Sequence, residues 1–63
     1  MRANLGEMRG RLAEAQERER RFGRMALQHG ITPNDRMVYR QLQLSARAEA
    51  KLAQKAVDHA MAD

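Results

Sequence analysis

The sequence predicts an all-α protein, one antiparallel hairpin of two helices, and three observations carry that expectation. Glu, Arg, Ala, Leu and Met dominate the chain, and cysteine is absent. Apolar residues recur at three- and four-residue spacing on both sides of one break. That break, Gly30-Ile31-Thr32-Pro33, contains the sequence's lone proline.

The first element opens at Asn4-Leu5-Gly6-Glu7, an N-cap followed three residues on by an acid, which is the capping-box arrangement. No proline interrupts the run from there to His29, so a helix is expected over about 4–29. Gly30 then supplies the left-handed C′ residue on which many helices end. Thr32-Pro33-Asn34-Asp35 restarts the chain. The Thr hydroxyl caps, Pro33 has no N–H to orphan, and Asp35 suits the positive helix end. A second helix over about 33–61 carries neither glycine nor proline. A link of two or three residues makes the two helices antiparallel neighbours. Gly6, Gly10 and Gly23 are weak places, each costing roughly 1 kcal/mol relative to Ala. The first two predict a fraying N-terminal end.

Helix one carries a heptad row, Leu5, Met8, Leu12, Ala15, Glu19, Phe22 and Ala26, with Glu19 expected as a solvated charge at the seam edge. The main stripe of helix two is Tyr39, Leu42, Ala46, Ala50, Ala53 and Val57, ending at Ala60 with Met61. The hairpin core is therefore expected at Leu12, Phe22, Tyr39, Leu42, Ala46, Ala53 and Val57. Met37, Leu44, Ala48 and Leu52 fall on the far side of helix two, where a single hairpin partner does not reach. Arg36, Arg40, Arg47, Lys51 and Lys55 form a ridge on that helix, and stacked like charges suit an acidic partner. The expected partner surface is Met37, Leu44, Ala48 and Leu52, with Arg40, Arg47, Lys51 and Lys55.

A chain of 63 residues is at most one domain, residues 1–63. At this size it buries only about 60% of its unfolded surface, and much of its apolar fraction is alanine. Without cysteine the missing stabilisation is expected from oligomerisation or a partner. The net charge of +4 is mixed along the chain, so nucleic acid is a weaker expectation than protein. Glu7–Arg11, Glu14–Arg18 and Glu17–Arg21 read as self-paired i,i+4 rows. No apolar run approaches the roughly 20 residues of a membrane span, and no h-region follows Met1-Arg2-Ala3-Asn4. A cytoplasmic protein is expected.

Catalysis is not expected. Ser45 and Thr32 are the only hydroxyl nucleophiles of their kinds, and Thr32 is already a cap. His29 and His59 lack a partner acid at telling spacing, and each suits a helix C-terminus through the dipole. There is no phosphate loop, no zinc pattern and no sign of a cofactor or small-molecule substrate.

With the turn at Gly30-Ile31-Thr32-Pro33, the run Val38-Tyr39-Arg40-Gln41-Leu42-Gln43 and the Ala/Leu stretch from Ala46 to Leu52, the region from Met8 to Val57 resembles the small needle co-chaperones of bacterial type III secretion. The resemblance implies a cytoplasmic chaperone subunit that joins a larger helical-repeat chaperone and holds the needle subunit unpolymerised. The chain is more Arg-rich than that family's pattern. The competing expectation is a homodimeric four-helix bundle, similar to the small plasmid or phage RNA- or DNA-binding regulators, with the basic ridge on nucleic acid.

Overall fold

A computed structural model describes residues 4–62 and contains two α-helices, α1 (Leu5–Ala26) and α2 (Pro33–Ala62), folded back on each other as an antiparallel hairpin. Met1-Arg2-Ala3, read above for a secretory signal, and Asp63 lie outside the described residues. At about 1.5 Å per residue α2 is about 45 Å long. It thus sets the longest dimension of a 48 × 17 × 14 Å rod. No helix among the described residues is long and apolar enough to cross a membrane.

Local chemistry fixes the helix ends. Asn4 has extended backbone, and its Oδ1 accepts from the Gly6 N–H at 2.7 Å. The return bond of a capping box, from Glu7, is not formed among the described residues, so this cap is one-sided. At α2 the cap is as expected. Thr32 Oγ1 accepts from the Asp35 N–H at 3.1 Å, its carbonyl accepts from the Arg36 N–H at 3.0 Å, and Pro33 is the first helical residue.

The C-terminal end of α1 differs from expectation. It stops at Ala26, not near His29, and the Leu27 and Gln28 N–H groups bond back to the Arg24 and Met25 carbonyls at 3.1 and 3.3 Å. The next seam position after Ala26 would be His29, which is exposed, so nothing holds a further turn against α2. His29 therefore lies in the link and not in a last helical turn. Gly30 does take a positive φ, 83°, but beyond the Leu27 cap, where it turns a link over residues 27–32. That link is longer than the two or three residues expected. α2 runs to Ala62, one residue past the expected Met61.

Three contacts fix the register: Gly23 against Gln43, Arg18 against Glu49, and Arg9 against Met61. In that register Ala26 lies opposite the turn around Gln41. The first two turns of α2 then extend past the helical part of α1, beside the link alone. All seven positions of the α1 heptad row are buried or half-buried, Glu19 among them. Glu19 has no ion-pair partner among the described residues, and its half-buried position leaves the carboxylate access to water at the seam edge.

The core itself is alanine. Among the described residues the buried ones are Ala15, Ala26, Ala46, Ala50 and Val57, so only one of them is larger than Ala. Leu12, Phe22, Tyr39 and Ala53 are half-buried around them. Leu42, expected in the core, is 40% exposed. It lies seven residues before Glu49, on the flank that Glu49 shares with Arg18, and short Ala46 and Ala50 occupy the seam in its place. Ala60 and Met61 at the end of that stripe are also exposed.

Candidate interaction surfaces

Burial is inverted relative to side-chain size. Leu27, Met37, Val38, Leu42, Leu44, Leu52 and Met61 are all exposed, with Leu52 and Met37 at 68% and 64%. Apart from Leu27 in the link, every one of them belongs to α2. The outer face of α1 carries Glu17 and Arg21 instead, flanked by Arg20 and Arg24. Met37, Leu44 and Ala48 project from one row of α2, at steps of seven and four residues, and Leu52 follows Ala48 by four. Val38 and Leu42 widen this face towards the Arg18–Glu49 side, an extension the sequence reading missed by assigning Leu42 inward.

The two lateral sides of the hairpin differ in chemistry. On one, Arg18 Nη2 meets Glu49 Oε2 at 2.6 Å, the one ion pair between the helices among the described residues. Its side chains are 41% and 59% exposed, so it contributes at most about 1 kcal/mol. Phe22 and Met25, four and seven residues after Arg18, share that side with Leu42.

The opposite side is basic. An open groove of about 410 Å³ is lined by Arg20, Gly23, Arg24, Ala26 and Leu27 from α1 and the link, and by Arg40 and Gln43 from α2. Gly23 makes the groove possible. A Cβ there would lie 2.8 Å from Gln43 Nε2 and 3.3 Å from its Cδ, so the amide rests where a side chain would stand. Gln43 itself is half-buried. The arginines of α1 stand beside the α2 ridge expected from the sequence and were not part of that expectation. Their signal was present in the i,i+3 and i,i+4 rows, but the pairing register was needed to bring them across.

The expected i,i+4 ion pairs are redistributed. Arg18 reaches across to Glu49 and not back to Glu14, because α2 presents a carboxylate within its arc. Glu17 Oε2 takes Arg20 Nη2 at 2.9 Å and its Oε1 lies 3.7 Å from Arg24, while Arg21 stacks its guanidinium 5.7 Å from the centroid of the Phe22 ring. The Arg20 hydrogen bond and charge, helped by Arg24, hold the Glu17 carboxyl below the usual carboxylate range.

No family model, curated protein or solved structure matches this chain. Its function therefore has to be argued from the surfaces themselves. The ridge of α2 divides between them: Arg40 lines the groove, while Lys51 and Lys55 follow Leu44 and Ala48 by seven residues on the apolar face. Arg47, four residues after Gln43, continues the groove side. Among the described residues no three His, Cys, Asp or Glu side chains gather in a way that could hold a metal ion.

Proposed function

We propose that the chain is a non-catalytic protein-binding subunit, a chaperone or adaptor whose α2 outer face is completed by a larger helical partner. One observation carries this reading: the buried core is alanine and one valine, while Met37, Leu44 and Leu52 stand on the surface. A contiguous exposed apolar face marks an interaction site in a small domain. Full burial of a Leu or Met side chain is worth about 1.5–3 kcal/mol, so these residues have more to gain in a complex than in the free hairpin. The resemblance to needle co-chaperones supports a cytoplasmic chaperone as that partner, and it rests on the sequence alone.

A second copy fits less well. An α2–α2 pairing sets Arg36, Arg40, Arg47, Lys51 and Lys55 of each copy against only Asp35, Glu49 and Asp58 of the other, and Glu49 is already taken by Arg18. Lys51 and Lys55 within the apolar face favour a partner helix that carries acids among its apolar residues.

Light scattering on the purified chain, with helicity measured on the same sample, tests the reading. A helical monomer is expected. A stable dimer that dissociates in a Leu44→Asp, Leu52→Asp variant would overturn it and install the homodimeric bundle instead.

A further inference from the structure

We propose that the groove between α1 and α2 is a phosphate-binding seat for a single nucleic-acid strand, held through its backbone and not its bases. This surface is separate from the apolar face and stands whether or not that face binds protein.

The donors converge. Arg20 and Arg24 from one helix and Arg40 from the other surround the half-buried amide of Gln43. Arg36 precedes Arg40 by four residues and Arg47 follows Gln43 by four, so the basic row continues along the same side at about 6 Å per step. The cations of α2 beside the groove, Arg36, Arg40 and Arg47, are arginines, and Lys51 follows Arg47 by four at the far end of the row. A guanidinium presents a planar fork that fits phosphate oxygens two at a time, whereas an ammonium acts as a point charge. Guanidiniums approaching from two helices, with an amide on the floor, can take the two anionic oxygens of a phosphodiester from opposite sides, and arginines repeated along one side suit an anion repeated along a strand.

Glu17 belongs to the same cluster, and its carboxylate already touches Arg20 and Arg24. It holds both guanidiniums in place and lowers the local charge by one. Five arginines less this carboxylate leave a net charge of +4 along the groove side. Gly23 belongs to it as well: a helix-interior glycine costs stability, and here it admits Gln43 to the floor.

Bases are not read. Phe22 lies on the opposite side, with Arg18 and Leu42, and Tyr39 is half-buried and does not line the groove, so among the described residues no ring stands over it. At about 410 Å³ the groove has room for the backbone of one strand. Binding is therefore expected to be independent of sequence and steeply dependent on salt.

The probe is a fluorescent single-stranded RNA of about 16 nucleotides, in two unrelated sequences, titrated by anisotropy between about 50 and 200 mM salt. With about four phosphates neutralised, a log–log slope of about −3 is expected for both sequences. Arg40→Glu should weaken binding at least about tenfold at the low-salt end and flatten the slope by about 0.7 or more. Arg11→Glu is the control, since it changes net charge equally but lies seven residues before Arg18, on the other side. It should leave the slope unchanged. Helicity of each variant is recorded first, and Gly23→Ala, which favours the helix while displacing Gln43, supplies a folded variant that should also bind more weakly. Absence of RNA binding at low salt overturns the proposal. So do equal losses in Arg40→Glu and Arg11→Glu, which would report net charge alone, and binding to phosphatidylserine vesicles without binding to RNA.

Discussion

Gly10, Gly23 and Gly30 are one residue type under three different constraints, and substitution should separate them. Around Gly10 a Cβ meets nothing within 4 Å and the backbone is helical. Gly10→Ala is expected to stabilise the hairpin by about 1 kcal/mol, a rise of roughly 4–8 °C in Tm for a domain of this size. At Gly30 the φ of 83° is unfavourable for any residue with a Cβ, so Gly30→Ala should cost about 1 kcal/mol. At Gly23 the gain in helix propensity is set against the displaced Gln43 amide, and thermal unfolding should shift little. Circular dichroism melts of the three variants check the order Gly10, Gly23, Gly30. Glu17 offers a pH test at the same scale. Its carboxyl is lowered by Arg20 first, so the small stabilisation is present above the unfolded pKa and is lost as pH falls through the folded one. Arg20→Ala should move the Glu17 titration upward when followed by carbon-detected NMR.

At the scale of the element, the two helices depend on their caps unequally. Thr32 satisfies the Asp35 N–H next to the overhanging turns of α2, where only the link lies alongside. Thr32→Ala is expected to cost about 1 kcal/mol, measured by urea unfolding. The N-cap residues Asn4 and Thr32, the seam of α1 and the antiparallel arrangement were legible in the sequence, because capping and the seam rest on contacts two to four residues apart and a short link turns the chain back. What was not legible depended on register. The α2 stripe spans a broad sector, and only the pairing of Gly23 with Gln43 decides that Gln43 turns inward while Leu42 turns out. The end of α1 was set by the lack of a partner for another turn, and Gly30 alone pointed too far along the chain. Likewise, the groove needed arginines of α1 and α2 that stand about twenty residues apart in sequence to be brought together.

For the whole molecule, the alanine core implies weak cooperativity. Burying Ala instead of Leu removes less apolar area, and the heat-capacity change of unfolding follows that area. Calorimetry on the isolated chain is expected to show a broad transition with a small heat-capacity step, and its midpoint should not rise with chain concentration. A helical partner that covers Met37, Leu44 and Leu52 should sharpen the transition and raise its midpoint.

The seam of short side chains has one more consequence. Ala15 and Ala26 facing Ala46 and Ala50 set how near the helices lie but provide almost no teeth to stop one from sliding along the other. The detents are few: Val57, the half-buried Leu12, Phe22 and Tyr39, the Gln43 amide seated on Gly23, the Arg18–Glu49 pair and the Arg9–Met61 contact. The hairpin is thus a sliding rule with a handful of stops, and one notch of it is one turn, about 5.4 Å. Removing the stops at Gly23 and Arg18 together should let the rule move without unfolding either helix.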